Sequence, residues 1–370
     1  MKQYDIAAYV WPAYTGKEDR TRIFWPEGIG EWQTVKNIAD ILPCKPSGYS
    51  WDRKPLWGYV DEADPYVMEM EIEAALDHGV NVFIYDWYWY DNRPFLENCL
   101  NDGFLKAKNR DKMKFYLMWA NHDAMTLWDR RTSHQPTTIW EGKVNFAQFQ
   151  TIGRRWLTQY FGLPCYYKID GKPVVSIYDV ANFINGMGSV EEARRALCWL
   201  QEEAVKAGLP GVHIQMVKWG ENMLNLSGVD GSSMQLSQLE ALEQLPFDSC
   251  THYQYVHFTD VNRDYEEILP DVIAEWQKLK TGTEKTYFPH VSVGWDNNPR
   301  FFGFMDAVTR NNGPKVFEKA LWAAKTYADE NNQIPLITIN SWNEWTETSY
   351  LEPDTVYGYG YMEAIKRVFL

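Results

Sequence analysis

The chain has 370 residues, of which 45% are hydrophobic, so it is long enough to bury a large core. Its 36 Lys and Arg residues are outnumbered by 50 Asp and Glu residues, which gives a formal net charge of −14. A field of this sign repels polyanions, so nucleic acid and an anionic membrane surface are excluded as expected partners, whereas a neutral substrate is not.

Eight short apolar runs recur along the chain, and each is followed by a polar or helix-patterned segment. Most of them are nearly continuous hydrophobic runs rather than strict alternations, which is typical of parallel strands covered on both faces. The predicted strands are Asp5–Val10, Val82–Trp87, Lys114–Trp119, Pro173–Tyr178, Val212–Val217, Phe247–His252, Tyr287–Val293 and Leu336–Ser341.

The segments between these runs carry helix signals. Pro65 stands at a first helical position and predicts a helix through Leu76. Ser189 followed by Glu192 predicts a capping box at the start of another helix. The remaining predicted helices are Ala193–Ala207, which follows that box, Tyr265–Lys280, Pro314–Asn331 and Tyr361–Leu370.

Strand–helix alternation repeated eight times implies parallel βαβ units, and eight strands close a TIM barrel. We therefore expect an α/β fold with one (β/α)8 catalytic domain over residues 1–370. Long insertions near 11–63 and 120–145 follow strands and are expected to build a cleft. The alternative, an open doubly wound sheet, predicts a Gly-rich phosphate loop after the first strand, but Trp11-Pro12-Ala13-Tyr14 stands there.

The carboxyl ends of barrel strands meet at one face, where catalytic side chains lie. Carboxylates, amides, imidazoles and aromatic rings dominate these positions, and the fifth strand adds Lys218 and Trp219. Aromatic residues make up 16% of the chain and present faces on which sugar rings stack. The candidate substrate-binding residues are Trp11, Tyr14, Asp86, Trp87, Tyr88, Trp119, Asn121, His122, Tyr178, His252, Tyr253, His290, Trp295, Trp342, Asn343 and Trp345.

The strongest local signal is the pair Glu344 and Glu347 after the last predicted strand. Two Glu three residues apart project to the same side if the chain makes one helical turn there. Trp342 and Trp345 beside them would desolvate one carboxyl, raise its pKa and keep it protonated near neutrality. One acid and one further carboxylate are what glycosidic-bond cleavage requires. The alternative is a solvated loop whose Glu residues cap the following helix.

The segment Trp342-Asn343-Glu344-Trp345-Thr346-Glu347, followed by Leu351-Glu352-Pro353-Asp354, resembles the signature of the glycoside hydrolase family 99 endo-α-mannosidases. It is closer still to their WbsX-like relatives, which are found near polysaccharide gene clusters. Further segments that fit this group in order are Ala7–Pro12, Phe83–Trp89, Trp119–His122 and Tyr167–Val175.

This resemblance implies a (β/α)8 barrel and a role for each Glu. Glu347 would serve as general acid and then base at the glycosidic oxygen. Glu344 would deprotonate the 2-hydroxyl of the sugar, so that this oxygen attacks C1 and forms a 1,2-anhydro intermediate. The outcome is retention without a glycosyl-enzyme, which departs from the usual two-carboxylate scheme.

The expected function is a retaining glycoside hydrolase, with endo action and exo action both open, on α-linked glycans such as mannose-containing polysaccharides. One alternative is a glycosyltransferase or transglycosylase in polysaccharide biosynthesis, and another is a non-catalytic glycan-binding barrel. No cofactor is expected, and no His or carboxylate cluster has the spacing of a metal site.

Five scattered cysteines without a Cys-x-x-Cys pair suit free thiols in a reducing compartment. The first residues lead directly into a strand-like run, and no apolar stretch approaches the length of a membrane span. The expectation is a cytoplasmic protein, or a periplasmic or secreted one if a leader has been removed. The oligomeric state is not predicted.

Overall fold

The computed structural model describes residues 3–218, 223–227, 233–331 and 333–370. Eight parallel strand positions form one sheet that curls into a barrel, which confirms the predicted fold class. These strands are β1 (Asp5–Val10), β2 (Val82–Tyr90), β3 (Lys114–Trp119), β4 (Lys172–Ile177), β5 (His213–Lys218), β6 (Ser249–His252), β7 (Thr286–Tyr287 and His290–Ser292) and β8 (Leu336–Asn340).

The barrel closes through β1 and through the broken seventh strand. Strand β1 pairs with both β2 and β8, with Asp5 opposite Leu336. The first segment of β7 pairs with β6, and its second segment pairs with β8. Between the segments, the backbone N–H of Phe288 donates to Cys250, and the carbonyl of Pro289 accepts from Thr338. Proline has no N–H to donate to a ladder, so the break falls where one partner bond is missing.

The helices cover the barrel and bury one apolar stripe each. For example, Phe149, Ile152 and Trp156 lie three and four residues apart in the third helix and are fully buried. No helix in the described ranges is long and apolar enough to cross a bilayer. The helices are α1 (Trp32–Lys36), α2 (Pro65–Asp77), α3 (Phe146–Gln159), α4 (Val180–Met187), α5 (Val190–Lys206), α6 (Gln238–Gln244), α7 (Tyr265–Gly282), α8 (Pro314–Glu330) and α9 (Gly360–Phe369).

Short antiparallel strand pairs lie at the ends of the barrel. One of them lies within the second long insertion, and Lys168–Ile169 comes directly before β4. The pairs are Arg93–Phe95 with β2, Ala124–Met125 with Thr138–Trp140, Lys168–Ile169 with β4, Met223–Ser227 with Ser233–Ser237, and Asn343–Glu344 with Ser349–Tyr350.

The five predicted helices are present, with ends that differ by a few residues, but α1, α3, α4 and α6 were not predicted. The longest of these four, α3, begins directly after the second insertion. Asn145 accepts a hydrogen bond from the N–H of Gln148, and the Gln148 side chain accepts from the N–H of Asn145. This capping box satisfies two of the N–H groups that a helix start leaves without partners.

The cap at α3 gives a test of local stability. Asn145→Ala is expected to lower the free energy of unfolding by about 1 kcal/mol, because one acceptor at the helix start is lost. Urea unfolding followed by circular dichroism measures the change. Asn145→Asp, which retains an acceptor, should lie close to the parent protein, and an Ala variant of parental stability would show that the cap contributes nothing.

Candidate active site

The segment Trp342–Glu347, here called the tryptophan loop, follows β8 at the carboxyl end of the barrel. Asn343 and Glu344 pair with Ser349 and Tyr350 in a two-stranded ribbon, and residues 345–347 form one 3-10 turn. That single turn carries Glu344 and Glu347 to the same side of the loop. Both side chains are buried, with 4% and 8% of their residue surface exposed.

The tryptophan loop is fastened to the segment that follows β1. The side-chain oxygen of Asn343 accepts from the N–H of Trp11 at 2.8 Å, and its amide donates to the carbonyl of Trp11 at 2.9 Å. The N–H of Trp345 donates to the hydroxyl of Tyr14 at 3.0 Å. Two neighbouring strand ends are thereby held in one fixed arrangement.

Glu344 and Glu347 both line a cavity of about 210 Å³ at this end of the barrel. One water needs only about 15 Å³ on this scale, so the space suits a solute of many atoms. Aromatic rings form much of its wall. The lining residues are Trp11, Asp86, Tyr88, Met118, Ala120, His122, Leu127, Trp128, Tyr178, Tyr253, Arg300, Glu344 and Glu347.

Arg300 is a buried cation that contacts three carboxylates. Its Nη1 lies 2.6 Å from Glu347, its Nη2 lies 3.4 Å from Glu344, and its Nε lies 2.9 Å from Glu31. Glu31 also accepts from the indole N–H of Trp11 at 2.6 Å. One positive charge faces three acidic groups, so the burial of all three as anions would be strongly unfavourable.

The surroundings distinguish the two Glu of the loop. Both Glu344 oxygens have donors: Oε1 faces Arg300, and Oε2 accepts from Tyr253 at 2.9 Å. Glu347 has Arg300 at Oε1, whereas its Oε2 has no hydrogen-bond partner among the described residues. Donors favour the ionised form, so Glu344 is the better anion and Glu347 the better place for a proton.

The electrostatic environment acts in the same direction. Burial and then the neighbouring charge of Glu344 raise the pKa of Glu347, and together they outweigh the lowering by Arg300, so that this pKa lies well above its ordinary value. Burial also raises the pKa of Glu344, but the charge of Arg300 and the hydrogen bond from Tyr253 oppose that rise. A protonated Glu347 beside an ionised Glu344 is the arrangement that an acid–base pair needs.

Tyr253 bridges two carboxyls with one hydroxyl. Its oxygen lies 2.9 Å from Asp86 Oδ2 and 2.9 Å from Glu344 Oε2. A phenol has a single proton, so it cannot donate fully to both. Burial and the charge of Glu344 raise the pKa of Asp86 well above its ordinary value. A neutral Asp86 then donates to Tyr253, and Tyr253 donates to the Glu344 carboxylate.

His122 offers an acceptor at the cavity wall. Its Nδ1 lies 2.9 Å from the carbonyl oxygen of Asp123, which only accepts, so Nδ1 carries the proton. Burial lowers the pKa of His122 and keeps the ring neutral. Nε2 is therefore an acceptor for a donor such as a hydroxyl.

Six of the candidate substrate-binding side chains line this cavity: Trp11, Asp86, Tyr88, His122, Tyr178 and Tyr253. Trp87 and Trp119 lie on the opposite faces of their strands, because successive side chains alternate. Trp87 donates to Glu97 at 2.7 Å, and both rings pack against Trp156 of α3. These two indoles join the barrel to its helices.

The remaining candidates lie outside the cavity lining and have other partners. Asn121 clamps the backbone of Asp179, as Asn343 clamps that of Trp11. His252 and His290 are fully buried, next to Tyr287 and Thr338 respectively. Trp342 and Trp345 are buried beneath their own loop.

Two further candidates take other positions. Tyr14 packs on Trp32 and lines a separate cleft with Tyr59. Trp295 is partly buried, and its carbonyl accepts from Thr309. Trp219, at the end of β5, lies outside the described residues.

Arg300, Glu31 and Trp128 were not among the predicted site residues. Arg300 and Trp128 end short 3-10 turns and Glu31 stands directly before the short helix α1, where no periodic pattern marks a buried side chain. Arg300 reaches the site because its loop is tied to the tryptophan loop: the N–H of Asp296 donates to the carbonyl of Glu347 at 2.8 Å. The only signal was general, namely that long loops after barrel strands build clefts.

Comparison with known proteins identifies a family and two curated relatives. A family model described as glycosyltransferase WbsX matches residues 6–365. Two curated relatives, both described as uncharacterized protein WxcX and found in two strains of Xanthomonas campestris pv. campestris, are 23% identical over 358 residues, or 93% of this chain. The match covers 46% of each relative, so the chain spans about half the length of the curated relatives it matches.

Solved structures with the same fold include a GH99 endo-alpha-mannosidase from Bacteroides thetaiotaomicron in complex with bis-tris-propane. Its TM-score is 0.62 at 14% identity, with 98% of this chain and 96% of that chain covered. A structure described as a glycoside hydrolase-like protein has a TM-score of 0.63 at 13% identity, with 100% and 94% covered. These likenesses show that the chain has the same fold as those two structures. Since the family model covers nearly its whole length, the chain belongs to the WbsX glycosyltransferase family.

Proposed function

We propose that this protein is a retaining glycoside hydrolase that cleaves neutral α-linked glycans, such as mannose-containing polysaccharides. The observation that carries the proposal is the pairing of Glu344 and Glu347 around Arg300 in an aromatic-walled cavity. The surroundings divide the pair into a proton donor and an anion, as glycosidic cleavage requires.

In the proposed reaction, Glu347 donates its proton to the glycosidic oxygen as the C1–O bond breaks. Glu344 takes the proton of the sugar's 2-hydroxyl, and that oxygen attacks C1 to form a 1,2-anhydro sugar. Glu347, now ionised, then takes a proton from water as the water oxygen attacks C1. The C1–O2 bond breaks as Glu344 returns its proton to the 2-oxygen, so two inversions give net retention and both groups regain their starting states.

The charge of the cavity supports a neutral substrate. Its lining includes three carboxyls, those of Asp86, Glu344 and Glu347. The guanidinium of Arg300 already contacts two of these and Glu31, so it is occupied. An acidic sugar would bring a further negative charge to this site, so we expect uronate polymers to be poor substrates.

Transfer to a sugar acceptor is a second candidate function, because the matching family model is described as a glycosyltransferase. The same acid and base would serve, with an acceptor hydroxyl in place of water. No Gly-rich phosphate loop follows β1, so the sequence offers no such site for a nucleotide-sugar donor.

Incubation with α-mannans, other neutral polysaccharides and uronate polymers, with and without nucleotide sugars, tests the proposal. Oligosaccharides released from a neutral glycan, with the anomeric configuration retained by proton NMR, support it, and product lengths separate endo from exo action. Chain extension that depends on a nucleotide sugar would contradict it, and so would binding without turnover.

Two amide variants test the assigned roles. Glu347→Gln should lower the rate on a natural glycoside by roughly 10²–10⁴-fold yet largely spare an aryl glycoside with an activated leaving group, which needs little acid help. Glu344→Gln should lower both rates. Steady-state kinetics on the two substrates gives the comparison.

Glu97→Gln is the matched control, because Glu97 contacts Arg155 and Trp87 away from the cavity. It should retain the activity of the parent enzyme on both substrates. Full activity of Glu347→Gln on the natural substrate would overturn the assignment of Glu347 as the acid.

Arg300 should set the acidic limb of the pH profile, because its charge lowers the pKa of Glu344. Its removal raises that pKa, so Glu344 becomes protonated at a higher pH. In Arg300→Met the acidic limb of kcat/KM should therefore move upward by about one pH unit or more. Arg300→Lys, which retains the charge, should move it less.

Arg155→Met provides the control for the loss of a partly buried arginine, since Arg155 pairs with Glu97 at a distance from the cavity. Its acidic limb should stay where the parent protein has it. An unmoved limb in Arg300→Met would show that Arg300 does not control the ionisation of Glu344.

A further inference from the structure

A second group of carboxyls, those of Glu62, Glu71 and Glu352, lies beside the tryptophan loop and does not line the catalytic cavity. We call it the carboxyl cluster. One oxygen of each lies within 4.8 Å of the others, and the residues are 0%, 0% and 3% exposed. Glu62 comes from the first long insertion, Glu71 from α2 and Glu352 from the segment after the ribbon.

Each member of the carboxyl cluster binds a different residue of the tryptophan loop. Glu71 accepts from the indole N–H of Trp342 at 3.0 Å, and Glu352 accepts from the indole N–H of Trp345 at 2.5 Å. The third contact joins Glu62 to the Asn343 amide at 2.9 and 3.0 Å. Hydrogen bonds from the carboxyl cluster therefore hold Trp342, Asn343 and Trp345, the residues on either side of Glu344 in the chain.

These contacts are directional, unlike the packing of the same rings. Trp345 also stacks on Tyr350, with ring centroids 3.8 Å apart, and that contact tolerates sliding of the rings. A hydrogen bond to each indole N–H fixes the rotation of the ring as well as its depth. Trp345 begins the 3-10 turn that ends at Glu347. The position of the Trp345 ring therefore sets the position of Glu347.

Three buried carboxyl groups this close together cannot all be ionised unless cations neutralise them; otherwise they must retain protons. In the described part of the chain, no Lys, Arg or His side chain forms an ion pair with any of the three. The ionisable neighbours that face the cluster from other elements are Cys99, Tyr85 and Tyr14, all neutral acids when buried. Cys99 donates its thiol to Glu62 at 3.5 Å.

Since these neighbours supply no positive charge, protons are what neutralises the carboxyl cluster. Burial, followed by the charge of Glu352, raises the pKa of Glu71 well above its ordinary value, and burial raises the pKa of Glu352 to about 8. Glu71 Oε1 and Glu352 Oε1 have no hydrogen-bond partner among the described residues. Those two oxygens are the places for the protons, since the other oxygens already accept from the loop or from Cys99.

We propose that the carboxyl cluster is a set of positioning residues: neutralised mainly by protons, it holds the tryptophan loop and thereby places Glu344 and Glu347 at the cavity. The inference rests on the proposed hydrolase function for its kinetic consequence only. Its structural consequence, the hydrogen bonding of two indole N–H groups, is independent of any substrate.

Glu71→Gln and Glu71→Leu separate positioning from charge. Glutamine resembles a protonated carboxyl and retains an acceptor for Trp342, so its kcat should stay within about threefold of the parent value. Leucine fills the space without an acceptor, so kcat should fall about tenfold or more while KM changes little. A side chain that only stabilises the fold would lower the melting temperature and leave the kcat of the folded enzyme unchanged.

Indole N–H resonances of ¹⁵N-tryptophan-labelled protein give a readout without turnover. Trp342→Phe and Trp345→Phe identify the two signals. The Trp342 signal should move in Glu71→Leu and stay near its place in Glu71→Gln. The Trp345 signal should titrate well above the ordinary pKa of a Glu, as the Glu352 carboxyl ionises with rising pH. If no glycan is cleaved, the hydrolase proposal fails while these signals still decide the present one.

Several results would overturn the inference. Parental kcat and an unmoved Trp342 signal in Glu71→Leu would show that the contact positions nothing. One equivalent of a divalent cation in the purified protein, lost in Glu71→Gln, would show that a metal rather than protons neutralises the cluster. If Glu71→Leu does not fold, Trp342→Phe deletes the same hydrogen bond from the donor side, and parental kcat there would contradict the proposal equally.

Discussion

The buried guanidinium of Arg300 is the constraint on which the rest of the site depends. A single cation lies among Glu31, Glu344 and Glu347, in surroundings that penalise every charge left without a counterpart. The group as a whole is therefore least unfavourable when one carboxyl retains its proton. Glu344 has donors at both oxygens and Glu347 has one oxygen without a partner among the described residues, so the geometry decides which carboxyl that is. Glu344 and Glu347 have the same side chain, so their hydrogen-bond partners decide which one is the base and which one is the acid.

The barrel supplies the rigidity that this charge arrangement needs. Strands β1 and β8 are paired, and Asn343 repeats that pairing beyond the strand ends by clamping the backbone of Trp11. The carboxyl cluster holds the same loop by accepting hydrogen bonds from the indole N–H groups of Trp342 and Trp345. Carboxyls thus serve at two levels: those beside Arg300 face the cavity, and those of the carboxyl cluster hold the loop. Each level retains protons because burial makes a full set of anions unfavourable.

The fold was largely predictable, because eight apolar runs long enough for a strand alternate with helix-patterned segments, and no Gly-rich phosphate loop of an open doubly wound sheet follows the first of them. Strand ends were less certain: β2 continues to Tyr90 because Arg93–Phe95 folds back and pairs with it. Successive side chains of a strand point to opposite faces, so the sequence alone places Asp86 and Tyr88 on one face of β2 and Trp87 on the other. The first face lines the cavity, and the second faces the helices. Arg300 and Glu31 were beyond prediction, since their contact joins loops 269 residues apart and leaves no local pattern.

A crystal structure of the Glu344→Gln variant with a bound neutral oligosaccharide would test the roles of Glu344 and Glu347 directly. We expect a sugar in the cavity between Trp11 and Tyr253, with its glycosidic oxygen within about 3.2 Å of a Glu347 oxygen and its 2-hydroxyl beside residue 344. A sugar bound elsewhere on the barrel, or a glycosidic oxygen with both residues more than about 5 Å away, would contradict it.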